Sequence, residues 1–136
     1  MKTQHPVGSI EFNKAFIIGH FEEFVNKKNS AIAYTNLSAD FVDHDEAGGP
    51  VIGPEPAKIM MDNLYKYMPD IHVSVEDIIA EEDRVMVRNI WSGTTTQGAK
   101  IQFKGFVLWK LKDGKIIERW ATVTSAYPMQ GDVAKW

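Results

Sequence analysis

Asp113 and Gly114 stand between two long β-rich runs, IQFKGFVLWKL and IIERWATV. Asp-Gly in that setting is a strong short-range signal for a hairpin with a type I′ turn, because both central residues must adopt positive φ. The turn sets the register of everything that follows. Lys112 pairs with Lys115, Leu111 with Ile116, Trp109 with Glu118, Val107 with Trp120, Gly105 with Thr122 and Phe103 with Thr124. Directly opposite residues share a face. One face is therefore expected to carry Phe103, Gly105, Val107, Trp109, Trp120, Thr122 and Thr124. The other carries Lys104, Phe106, Leu108, Lys110, Ile117, Arg119, Ala121 and Val123.

The first face is aromatic, ends in two hydroxyls and has a glycine in mid-strand. Glycine there weakens a strand and marks a bulge, a bend or the close approach of another group. Such a face fits the wall of an apolar pocket. It fits equally well a core face packed under a helix, and spacing alone leaves both readings open.

The 136 residues suffice for one domain with a sizeable core. We read residues 1–136 as that single domain, with a loose N-terminal tail at 1–8 and an irregular C-terminal tail at 126–136. The formal net charge is −3 and no basic patch is visible, which argues against nucleic acid as a partner. With no cysteine, disulfides, Cys-ligated zinc and thiol catalysis are excluded. No apolar run follows the N-terminal lysine, and no segment reaches the length of a membrane span. The expectation is a cytoplasmic protein with no membrane contact.

Ser9 is a candidate N-cap, with Glu11 in the first turn. Phe12, Phe16, Ile17, Phe21, Phe24 and Val25 then recur at helical spacing to about Lys28. Asn29 or Ser30 caps a short second helix, AIAYTNL. Phe41 and Val42 begin a strand that ends in the polar cluster DHDE and Gly48-Gly49-Pro50. Pro54 and Pro56 open a third helix with an Ile59, Met60, Leu64 stripe, stopped by Pro69. IHVSVEDIIA alternates and then shifts phase near Asp77–Ile78, the mark of a bulge. RVMVRNIWSG and the hairpin complete the chain. Helices segregated to one side of an antiparallel sheet make an α+β layer architecture, and the space between a twisted sheet and its helices is where binding sites form.

Three segments combine into a recognisable pattern: FVDHD before a glycine-proline loop and helix, MPDIHVSVEDIIAEEDRVMVRNIWSGT, and DGKIIERWATVT. Together, over roughly residues 12–125, they resemble the SnoaL-like polyketide cyclases of the nuclear-transport-factor-two-like superfamily. The resemblance implies a curved antiparallel sheet wrapped around the N-terminal helices to form a cone with an apolar pocket. It implies a homodimer through the outer sheet face, here Phe106, Leu108, Ile117, Ala121 and Val123. It implies aldol closure of a polyketide ester with no metal or cofactor. The family's acid–base aspartate, four residues after the tryptophan of the last segment, falls on Thr124, whose hydroxyl cannot exchange protons near neutral pH as a carboxylate does. A family histidine in the middle segment is replaced by Thr95, while the histidine of the early strand is kept as His44.

His44 is the one candidate acid–base group of neutral pH in that cluster. Its functional reading places it in the pocket; its structural reading is a polar residue at a strand end. Asp43 and Asp45 should point away from it on a strand, and Asp45 is the second catalytic candidate. No further His or Glu stands at ligand spacing, so DHDE is read as no metal site. Asn89 and Trp91 share a face with Val85 and Val87, and a buried asparagine needs a partner, from protein, water or ligand. Arg88 lies opposite. Met60, Met61 and Tyr65 fit either the pocket mouth or plain core packing, and core packing is favoured for each. The ligand-contacting set is then Asn89, Trp91, Phe103, Val107, Trp109, Trp120, Thr122, Thr124 and Met60. Three readings follow: a pocket protein for a small apolar or polyketide-like molecule, a cofactor-free cyclase, isomerase or dehydratase using His44, or a structural dimer module with a vestigial pocket.

Overall fold

The computed structural model describes residues 5–45, 49–129, 131 and 134–136. The first four residues of the expected N-terminal tail, three residues of the loop after DHD, and positions 130, 132 and 133 of the C-terminal tail lie outside the described residues.

Helix α1 spans Ile10–Phe21, and the Ser9 hydroxyl caps it by accepting from the Phe12 amide at 3.1 Å. The helix widens into a π turn over Glu22–Asn26, where the Lys27 amide reaches the Glu22 carbonyl at 2.8 Å. Asn26 uses the end of that turn to grip the sheet. Its amide donates to the Val73 carbonyl and accepts from the Val73 amide, at 3.1 and 2.8 Å. A short α2, Ile32–Asn36, leads directly into β1, Leu37–Asp43, longer than the Phe41–Val42 start expected from sequence. After the two-residue β2, Val51–Ile52, helix α3 runs Pro54–Tyr67. Asp70 ties the chain after α3 to the sheet by accepting from the Thr94 amide at 2.6 Å, and this hydrogen bond holds its carboxyl below the usual range.

The strands β3 (His72–Glu81), β4 (Arg84–Thr94), β5 (Lys100–Lys112), β6 (Lys115–Val123) and β7 (Tyr127–Pro128) complete the sheet. Its order is β2-β1-β6-β5-β4-β3, with β7 pairing β5. All pairs are antiparallel except β1 with β6. The architecture is α+β, a curved and unclosed sheet against N-terminal helices. The bulge expected in β3 occurs between Val75 and Asp77. The core joins Ile17, Phe21, Phe24 and Val25 of the helical layer to Val85, Val87, Val107, Trp109, Leu111 and Ile116 of the sheet. Among the described residues, no helix is long and apolar enough to cross a membrane.

The turn is type I′ as expected, with φ of 52° at Asp113 and 75° at Gly114. Lys112–Lys115 and Leu111–Ile116 pair as read from sequence. Beyond them the register slips by one. Lys110 pairs with Glu118, Trp109 with Arg119, Leu108 with Trp120, Val107 with Ala121, Phe106 with Thr122 and Gly105 with Val123. Ile117 is the extra residue. Ile116 is fully buried against Leu37 of β1 as well as Leu111, and the bulge keeps it there while the strand beyond turns over.

This corrects the two faces. Arg119, Ala121 and Val123 share the inner face with Trp109, Val107 and Gly105, whereas Trp120, Thr122 and Thr124 look outward. A one-residue slip exchanges faces because the side-chain period is two. Thr124 is exposed, and its hydroxyl accepts from the Lys104 amide at 3.0 Å. Of the expected outer patch, Phe106 and Leu108 stay outside, Ile117 sits in the bulge, and Ala121 and Val123 leave it. Part of the outer face is covered by the chain's own end: Trp136 lies 5.7 Å from Phe106 between centroids, with Arg88 and Lys104 over its ring at 4.8 and 5.0 Å.

The slip also explains the mid-strand glycine. A Cβ at Gly105 would lie 2.5 Å from Val123 Cγ1 and 3.1 Å from the Thr122 carbonyl oxygen. The group that approaches is Val123. Gly105→Ala is expected to cost about 1–3 kcal/mol through overpacking, and a Gly105→Ala/Val123→Ala double variant to recover most of it. Denaturant midpoints of the three proteins check this; equal loss in the single and double variants would place the strain elsewhere.

Candidate ligand-binding site

Between the helices and the inner face of β1, β4, β5 and β6 lies a small cavity of about 40 Å³. Its walls are apolar: Phe21, Phe24 and Val25 from the first helical segment, Leu37 and Phe41 from β1, Ala57, Met60 and Met61 from α3, and Trp91 and Val107 from the sheet. The remaining lining residues are His20, Asp43, Trp109 and Arg119. That volume holds a water or two. Wider depressions of about 570 and 630 Å³ are open grooves beside hairpin ends, edged by Glu81, Glu82, Asp83 and Arg84 in one and Asp40, Lys112, Asp113 and Lys115 in the other. We place the site in the smaller space because it is more closed than these grooves, mostly apolar and edged by buried polar side chains.

The first of these polar features is an ion pair. Arg119 Nη1 donates to both carboxylate oxygens of Asp43, at 3.0 and 3.1 Å. The pair exists because β1 and β6 run parallel with Asp43 directly beside Arg119, and because the Ile117 bulge turns Arg119 inward. Asp43 is 4% exposed. The Asp45 amide donates to its Oδ1 at 3.1 Å, and the Arg119 guanidinium also lies 5.7 Å over the Trp109 ring. The buried carboxylate of such a pair needs extra bonds of this kind to offset its desolvation.

The second is His20, 2% exposed on the inner side of α1. Its ring stacks on Phe24 at 5.0 Å and meets Trp109 edge-on at 5.6 Å. The Asn36 amide nitrogen lies 3.0 Å from its Nδ1. Burial, and then the nearby Arg119 charge, push its pKa down to about 3, so the ring is neutral at physiological pH. The third is the Trp109 indole N–H, which is buried with no hydrogen-bond partner among the described residues.

The residues singled out from sequence divide sharply. Trp91, Val107, Trp109 and Met60 line the cavity, and Met60 is 36% exposed at its edge. Phe103 lies behind, stacked on Trp91 at 5.4 Å. Asn89 is fully buried on the inner face, and both polar atoms of its side chain lack a partner among the described residues; it stands beside Gly105 and outside the cavity lining. Tyr65 donates its hydroxyl to the Phe24 carbonyl, and burial raises its pKa to about 12.

His44 does not reach the cavity. It lies on the outer side, stacked on Trp120 at 4.6 Å with the rings 2° from parallel, and its Nε2 is 2.8 Å from Glu118 Oε2. Alternation along β1 decides this: with Asp43 inside, its neighbour faces out. Asp45, just past the strand, accepts from the Ala121 amide. Neither residue meets the inner pocket, and Trp120, Thr122 and Thr124 leave it with the register. Sequence reasoning missed His20 and Arg119, and weighed Asp43 only as an acid–base alternative to His44. His20 falls three residues after Ile17 on the apolar stripe of α1, and a polar residue within such a stripe was the available signal.

A family model for SnoaL-like polyketide cyclases matches residues 15–130. The chain belongs to the SnoaL-like polyketide cyclase family. Among solved structures, the SnoaL-like protein of Jannaschia sp. CCS1 superposes with a TM-score of 0.75 at 20% identity, covering 90% of this chain and 91% of the other. A polyketide-cyclase-type protein of Bacillus cereus gives 0.73 at 27% identity, over 82% and 74%. A LEH-like epoxide hydrolase of M. tuberculosis shares the fold, with a TM-score of 0.70 at 12% identity over 82% of each chain. No curated protein matches the sequence. Among the described residues of this SnoaL-like chain, no cluster of His, Asp or Glu is arranged to hold a metal ion.

Neutral His20 makes a testable contribution to stability. Its folded pKa lies below the ordinary 6.5, so the unfolded chain binds the extra proton as pH falls. Stability from this group is complete above about pH 6.5 and is lost progressively toward pH 3. Between pH 6 and 4 it should add a slope of about 1.4 kcal/mol per pH unit. Urea unfolding across that range should show a shallower acid limb in His20→Phe than in the wild type. Identical limbs would mean that His20 titrates normally.

Proposed function

We propose that this protein binds a compact apolar molecule in the cavity between helix and sheet, with the Asp43–Arg119 pair as the fixed polar end of the site. The observation that carries this reading is an ion pair, its carboxylate buried and its guanidinium partly buried, at the edge of a largely apolar cavity. A core with no ligand to receive has little use for it, since replacing such pairs by well-packed apolar residues is often neutral or stabilising. The empty space is smaller than a ring compound, so entry requires the walls to move. Met60 and Met61 of α3 are suited to this, because unbranched thioether side chains repack at low cost.

The geometry favours binding over proton-transfer catalysis. The Asp43 oxygens are already engaged by Arg119 and by the Asp45 amide, so removing a proton from a ligand would first break the pair. His44 and Thr124 face away from the cavity. The reading invokes no metal or cofactor.

Ala57 lines the cavity and is a small residue in the first turns of α3. Ala57→Leu should fill the space. In titrations followed by protein-observed NMR, 1-indanone should shift resonances of Trp91, Val107 and Trp109 in the wild type and bind at least tenfold more weakly to Ala57→Leu. Binding that survives the filled cavity unchanged, or shifts confined to the outer face, would refute the placement.

A further inference from the structure

Helix α3 is lightly held for an element that walls a cavity. Of its side chains only Met61 is buried, while Ile59 and Tyr67 face solvent. The helix packs chiefly on α2 and β1. Its two ends are pinned through the backbone. The Gly53 amide donates to the Phe41 carbonyl at 2.7 Å, and the Tyr67 carbonyl accepts from the Thr96 amide at 3.0 Å.

Two side-chain hydrogen bonds draw the middle of α3 onto one short stretch of chain, residues 24–30. Tyr65 donates its hydroxyl to the Phe24 carbonyl. The π turn leaves that carbonyl open: the Asn29 amide reaches past it to Glu23 at 2.9 Å, and the Lys28 amide stops at Val25 at 3.3 Å. The buried Ser30 donates its hydroxyl to Asp62 Oδ1 at 2.6 Å, and Lys58, one turn before Asp62, holds the other oxygen at 2.8 Å. Ala57, Met60 and Met61 line the cavity from α3, and Phe24 and Val25 line it from the π turn. The two bonds therefore join two walls of one space, and neither belongs to the helix's own ladder. When they part, water that enters can pair with the freed hydroxyls, carbonyl and carboxylate, so opening strands no buried polar group.

We propose that α3 is a gate on the inner cavity, pinned at its ends and closed by the Tyr65–Phe24 and Ser30–Asp62 bonds, and that small apolar molecules pass between α3 and the π turn when both bonds open. The purpose of the gate rests on the pocket reading above; its motion does not. The helix moves as a unit because its internal hydrogen bonds stay intact while the two closing bonds break.

Native-state hydrogen exchange followed by NMR tests the motion. In the wild type, the amides of residues 58–67 should exchange at least about tenfold faster than those of β4 and β5, through an opening smaller than global unfolding. Tyr65→Phe and Ser30→Ala each remove one hydroxyl. Each should speed exchange across the whole of residues 58–67 by roughly three- to tenfold, leave β4 and β5 unchanged, and multiply in the double variant. Equal acceleration of the β4 and β5 amides, or acceleration confined to the turn around the substituted residue, would reduce the bonds to structural supports and overturn the gate. The passage is tested with 1-indanone by NMR lineshape titration. Association and dissociation rates should rise together by about the same three- to tenfold in each variant, with Kd changed less than about twofold. A weaker Kd with an unchanged association rate overturns the route. If 1-indanone does not bind the wild type, the pocket reading fails, and the gate stands or falls on the exchange data alone.

Discussion

One extra residue in β6 decides what this protein can do on its inner face. Without the bulge at Ile117, the Asp-Gly turn would carry its register to the strand end and put Trp120, Thr122 and Thr124 against the helices. With it, the same strand delivers Arg119, Ala121 and Val123. The slip is sustained at both ends. Ile116 stays locked between Leu37 and Leu111, and Val123 closes over Gly105. A glycine at 105 and an isoleucine pair at 116 and 117 are thus two parts of one arrangement.

The consequence is electrostatic. Arg119 enters an apolar interior and is tolerable there because Asp43, on the parallel neighbour β1, meets it with both oxygens. That pairing sets the direction of β1's remaining side chains and sends His44 outward onto Trp120 and Glu118. It also places a positive charge near His20, which adds to burial in keeping the imidazole neutral. The inner polar groups are therefore a connected set, in which one strand offset fixes a charge pair and the charge pair helps fix a protonation state.

Much of the fold was legible because it rests on local signals. Ser9 caps α1 through its own hydroxyl, Asp113-Gly114 adopts the positive φ values that its turn demands, and the phase shift near Asp77 is a real bulge. The family pattern, carried by the order of three segments, matched the architecture. The site was much less legible. Periodicity shows that Ile116 and Ile117 are apolar but not which of them is the extra residue, because that is settled by packing against Leu37, far away in sequence. A charged side chain such as Arg119 is expected outside by default, and only the parallel β1–β6 contact supplies the carboxylate that reverses the expectation. The choice between Asp43 and His44 hinged on the same contact. Trp91, Val107, Trp109 and Met60 were found because their faces do not depend on the slip.

The inner face created by the Ile117 offset is, on this reading, a ligand site with the Asp43–Arg119 pair at its polar edge. A crystal structure of the protein soaked with 1-indanone tests it most directly. The expected result is the ketone between α1, α3 and β5, with the Met60 and Met61 side chains displaced from their present positions. Density for the ketone on the outer face beside His44 and Trp120, with the inner cavity unchanged, would contradict it.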